Sequence, residues 1–164
     1  MEVPTENIME HQDYMREALR LAKEGISKGL GGPFGAVVVR DGEIIARASN
    51  RVVADNDPTA HAEVLAIRQA AAKLKNFHLG ECILYTSCEP CPMCLGASYW
   101  AHIKHIYYSA SGEDAARVGF ADDFILKQLR LDSVDRETPA EILLQNEGVA
   151  VFDHYLSLMD KTEY

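Results

Sequence analysis

Four side chains within His61–Cys94 have the types and spacing to do chemistry. His61-Ala62-Glu63 supplies an imidazole and a carboxylate two positions apart, and Cys91-Pro92-Met93-Cys94 supplies two thiols three positions apart. Residues i and i+3 share a helix face, so Cys91 and Cys94 can grip one ion together. Residues i and i+2 do not face each other, so His61 and Glu63 work together only in a helix's first turn, where His61 reaches back from the end. Imidazole nitrogen with thiolate sulfur suits zinc. One His and two Cys make three protein ligands and leave a fourth tetrahedral position for water, whose pKa zinc lowers to about 7. Glu63 is then placed as the acid/base that moves protons between water and substrate.

Two other readings of the same residues stay open at this point. Cys91 and Cys94 could be a redox pair, which leaves His61 and Glu63 unused. Cys88 lies three before Cys91, so Cys88, Cys91, Cys94 and His61 could form a closed structural cage in an interaction domain. That cage leaves Glu63 idle, and Pro90 and Pro92 interrupt a helical stack of the three thiols.

The elements that must position these residues follow from patterning. A spacing of three and four over 8–28 predicts an amphipathic helix after a loose leader, 1–7. Gly29-Leu30-Gly31-Gly32-Pro33 ends it. This loop lacks the Lys-Ser/Thr of a phosphate cradle and is read as a close backbone approach to a pocket. Runs at 34–40 and 43–48 predict a hairpin around Asp41-Gly42. Asp57 or Thr59 is expected to cap a helix over 61–74. Strands are expected at 82–86 and 103–109, with a helix over 91–101 between them. Further along, a short helix reaches about 129, 140–145 reads as a strand, and 149–159 is apolar at helical spacing. Strands alternating with helices imply an α/β layer with a parallel portion.

Composition bounds the function. The 164 residues fit one domain, and 48% hydrophobic content excludes a disordered chain. The net charge of −9 is the wrong sign for gripping a long polyanion and favours a small substrate. No run reaches the ~20 apolar residues of a membrane helix. The clustered cysteines at 82, 88, 91 and 94, without a signal peptide, point to a cytoplasmic chain with reduced thiols.

The pairing of His-x-Glu with Pro-Cys-x-x-Cys is the known signature of zinc nucleobase deaminases. Thr59-Ala60-His61-Ala62-Glu63 and Thr86-Ser87-Cys88-Glu89-Pro90-Cys91-Pro92-Met93-Cys94-Leu95-Gly96-Ala97 resemble the cytidine/deoxycytidylate deaminase superfamily. Gly31 to Ala36, Asp57-Pro58-Thr59, Tyr99-Trp100-Ala101, Gly119-Phe120, Phe124-Ile125 and the terminal Glu163-Tyr164 narrow that resemblance to the bacterial guanine deaminases. The resemblance implies a single domain over 1–164, a three-layer α/β/α sandwich around a mixed five-stranded sheet. It also implies one zinc per subunit and hydrolysis of guanine to xanthine and ammonia. In a pocket of that kind Asn50 would hydrogen-bond the purine's polar edge with both a donor and an acceptor. Asp122 would accept from its nitrogens, Phe34 and Trp100 would wall it, and Tyr164 would reach in. The family further implies a homodimer with exchanged C-terminal segments, so that Tyr164 could serve a partner's pocket. Guanosine, cytosine, cytidine and transfer-RNA adenosine are the competing substrates within the same chemistry.

Overall fold

The computed structural model describes residues 5–164, with side chains described from His11 onward. Helix α1 (Thr5–Ser27) already includes the last three residues of the expected leader, and the rest of that leader lies outside the described residues. Contacts divide the chain into two compact units that meet at Asp122/Asp123.

In the first unit, β1 (Gly35–Arg40) and β2 (Glu43–Ser49) form the predicted hairpin. Asp41 and Gly42 both take positive φ, 51° and 79°, which matches the right-handed twist of the paired strands. β3 (Ile83–Cys88) pairs antiparallel with β1, and β4 (His105–Ala110) pairs parallel with β3. The sheet is therefore mixed, in the order β2-β1-β3-β4.

The alternation of β1 sorts its two faces. Val37 and Val39 join Tyr85 beneath α1 residues Tyr14, Met15 and Leu21. Ala36 and Val38 join Leu84 beneath Ala62, Ala66 and Ala70 of α3 (Ala62–Leu74). Both faces are covered, so β1 is an unbroken apolar run. The α1 backbone lies so close that a Cβ on Gly35 would sit 2.2 Å from Ala18 O. Tyr85 OH and His11 Nδ1, 2.5 Å apart, tie the same helix to β3. A helix layer on each face of the sheet matches the expected sandwich.

Two short helices were not legible as elements, α2 (Val52–Asp55) and α5 (Gly112–Arg117). The predicted helix over 91–101 is α4 (Pro92–Trp100).

The second unit holds α6 (Asp123–Leu129), a 3-10 turn (Ser133–Asp135) and α7 (Gln145–Ser157). The strand expected at 140–145 is absent, so among the described residues the sheet has four strands and not five. That run has no alternation to define a sheet face. Ile142 and Leu143 are exposed, and Leu144 turns to φ 56° to start α7.

Candidate active site

Two helix starts build the site. Asp57 does not cap α3: its Oδ1 accepts from Thr59 N at 2.8 Å and Thr59 Oγ1 at 2.7 Å, closing a turn of its own. Thr59 is not the cap either. The N-cap position falls to His61, in extended backbone and with no side-chain capping bond. Its imidazole is thereby left free to turn away from the helix. Cys91 is likewise the uncapped, extended N-cap of α4, with Pro92 behind it at the first helical position. Cys94 lies one turn further on and is fully buried. The positive ends of two helices thus converge where thiolate charge would collect.

His61 Nδ1 lies 3.5 Å from Cys91 Sγ and 3.4 Å from Cys94 Sγ, and the three donor atoms all fall within 4.8 Å of one another. Tetrahedral zinc with bonds near 2.1 and 2.3 Å needs donor separations of about 3.6–3.8 Å, so this nitrogen–sulfur–sulfur set fits zinc. The protons agree. Hydrogen bonds from Cys94 and then His61 hold the Cys91 thiol down at about 4. Cys94 is pushed up because it donates to Cys91 and is buried, and the Cys91 sulfur raises His61. The thiol pair therefore gives up one proton readily and keeps the second until a cation replaces it.

Cys88 is not part of this cluster. Its Sγ donates to Ser111 O at 3.5 Å, and burial pushes the thiol to about 11. Among the described residues the donor set closes at three, which disfavours the four-ligand cage.

Glu63, the second residue of α3, is 5% exposed. Thr86 Oγ1 donates to its Oε1 at 3.1 Å and Cys94 Sγ to its Oε2 at 3.5 Å. Burial raises its pKa, first among several causes. One oxygen is pinned by the sheet and the other faces the metal ligands. Thr86 in this supporting role was not singled out from sequence; a polar residue closing the apolar run 82–85 was the available signal.

The remaining predicted residues divide. Asn50 is buried beside the cluster: its N–H donates to Phe34 O at 2.9 Å, and Arg51 N–H donates to Ala60 O, next to His61, at 3.0 Å. Phe34 is half-buried and meets Phe120 edge-on at 5.0 Å. Phe120 was noted only as part of a family stretch, and the structure pairs it with Phe34. Asp122 is half-buried, and its Oδ1 comes near Gly112, whose N–H bonds Glu89 Oε2 at 2.9 Å. Trp100 closes α4 at 67% exposure, about 9 Å of helix rise beyond Cys94. Tyr164 belongs to the second unit and is 75% exposed.

Residues 8–110 match the model of the cytidine and deoxycytidylate deaminase zinc-binding region. Guanine deaminase of Bacillus subtilis is 49% identical over 95% of this chain and 100% of its own. A crystal structure of a B. subtilis guanine deaminase superposes with a TM-score of 0.91, at 49% identity over 94% of this chain and 98% of the other. Guanine deaminase from Nitrosomonas europaea gives a TM-score of 0.65 at 32% identity, covering 74% and 75%. A tRNA-specific adenosine deaminase of Streptococcus pyogenes is 40% identical over 76% of this chain and 77% of its own. The family match spans most of the chain and contains every residue of the metal cluster, so the chain belongs to the cytidine and deoxycytidylate deaminase zinc-binding family.

Proposed function

We propose that this chain hydrolyses guanine to xanthine and ammonia, with one zinc ion per subunit held by His61, Cys91 and Cys94. The observation that carries the reading is the three-donor cluster with a buried carboxylate 3.5 Å from one of its sulfurs. Zinc, when bound, acidifies water to a pKa of about 7. Glu63 does the proton work. Thr86 anchors its Oε1, so Oε2 takes a proton from the attacking water and delivers it to the ring nitrogen beside the amino-bearing carbon. The carboxylate, again unprotonated, takes the second proton from the hydroxyl now on that carbon and passes it to the departing amine. The C–N bond breaks, a C–O bond forms, and ammonia leaves.

Asn50 binds the polar edge of the base, Asp122 accepts from its nitrogens, and Phe34 and Trp100 wall it. Full-length relatedness to a guanine deaminase supports this choice of base. The net charge of −9 speaks against transfer RNA. The whole chain, 1–164, acts as one deaminase domain in the cytoplasm, where reduced thiols persist. Among the described residues no helix is long and apolar enough to cross a membrane.

The working species is a homodimer in which residues from 123 onward are exchanged, bringing Tyr164 to a partner's pocket. Supporting this, no residue of 123–164 is buried. Ammonia release from guanine, guanosine, adenine, cytosine, cytidine and transfer RNA tests the substrate. Guanine should dominate; silence on guanine with turnover of another compound overturns it.

A further inference from the structure

Asn50 Oδ1 accepts two backbone N–H groups, from Gly32 at 3.2 Å and from Val52 at 3.1 Å. A backbone N–H has no lone pair, so the accepting atom must be the oxygen. Turning the carboxamide over would set its NH2 against both donors. Nδ2 makes no hydrogen bond to the described residues. It is also absent from the buried polar atoms lacking a partner, where Arg40 Nε stands alone among those residues, so it touches accessible space. The acceptor half of Asn50 is therefore committed to the fold, and only a donor faces outward.

Gly31 sets this arrangement. A Cβ there would lie 2.1 Å from Asn50 Oδ1 and 3.0 Å from Asn50 O. Its φ lies outside the left-handed region, so the close approach, and not backbone conformation, requires glycine. On the next residue a Cβ would meet Phe34 at 2.9 Å and Phe120 at 3.1 Å.

We infer that Gly31 and Gly32 are positioning residues that make Asn50 a one-way donor, so that the pocket selects purine bases presenting a carbonyl oxygen or unprotonated ring nitrogen at that edge. This rests on the guanine reading for the reaction, but the arrangement itself can be measured without turnover.

The test combines amide exchange with a mutant cycle of Gly31→Ala, Asn50→Ala and the pair. In the wild-type protein the Gly32 and Val52 amides exchange at least about tenfold slower than in Asn50→Ala, as expected for a hydrogen bond of ordinary strength. Gly31→Ala loses the Gly32 protection, keeps its zinc, and raises KM for guanine about tenfold with kcat little changed. In the Asn50→Ala background, where no oxygen remains to displace, Gly31→Ala adds nothing further. Asn50→Asp keeps both amides protected yet raises KM, because it accepts but cannot donate.

Equal amide exchange in wild type and Asn50→Ala overturns the inference. So does a fully additive cycle, or an Asn50→Asp enzyme with wild-type KM. If guanine is not turned over at all while Gly31→Ala still releases the Gly32 amide, the substrate assignment fails and the positioning stands.

Discussion

Residues up to Asp122 and residues from Asp123 onward solve the burial problem in opposite ways. Among the described residues the first unit hides nineteen apolar side chains, Val37, Val38, Leu84 and Tyr85 among them, and covers both faces of β1. The second unit has helices and no buried residue: Phe152 is 71% exposed, Leu156 66% and Met159 97%. About forty residues rarely fold alone without disulfides, metal or association. Chemistry and stability therefore reside in the first unit, whereas the second presents apolar surface that needs a cover. The largest expected effect follows from the chemistry. Glu63→Ala should retain zinc by metal analysis and lose about a thousandfold or more in ammonia release. Wild-type turnover would remove the first unit's claim to the reaction.

Metal comes next. Cys91→Ser breaks the three-donor set at the start of α4. Zinc bound a thousandfold above its dissociation constant contributes about 4 kcal/mol, so the thermal midpoint should fall by about 10 °C as zinc is lost. Unchanged zinc content in this variant would mean that another group completes the site. The second unit should respond differently. Wild-type chain is expected to sediment at 2 × 18.2 = 36.4 kDa. Phe152→Asp with Leu156→Asp should shift it toward the single-chain mass while leaving the zinc content intact. A wild-type monomer would show that the apolar surface of 123–164 is covered in some other way.

The same division decides what could be read in the sequence. His61, Glu63, Cys91 and Cys94 were legible because their spacing states the geometry: two helix starts and one turn between thiols. The hairpin was legible in Asp41-Gly42, where both residues need positive φ. Asn50 was legible as a polar candidate but not as a one-way donor. That depends on Gly32 and Val52 amides, whose approach is fixed only once the loop closes. The contact of Phe120 with Phe34 was not legible because the two are remote in sequence. Helix α5 did carry a local signal, the reciprocal cap between Ser111 and Asp114, which apolar periodicity alone overlooks. The fifth strand was read from apolar content at 140–145. There Ile142, Leu143 and Leu144 are all exposed, so hydrophobicity did not mean burial.

The smallest effect isolates what Glu63 costs the first unit. Burial raises its carboxyl above the ordinary 4.5. A raised folded-state pKa means that the folded chain binds this proton more tightly than the unfolded chain does. Its stabilising contribution is complete below about 4.5, the unfolded value, and is lost as pH rises through the higher folded value. Gln has no proton to lose. In the metal-free protein, the thermal midpoint of Glu63→Gln should therefore gain on wild type by a few degrees between pH 5 and pH 8. A difference that stays flat with pH would place the charged carboxylate in a solvated setting, contrary to its burial between Thr86 and Cys94. A rising difference would show that the first unit, unlike the second, gives up stability for a group the reaction needs.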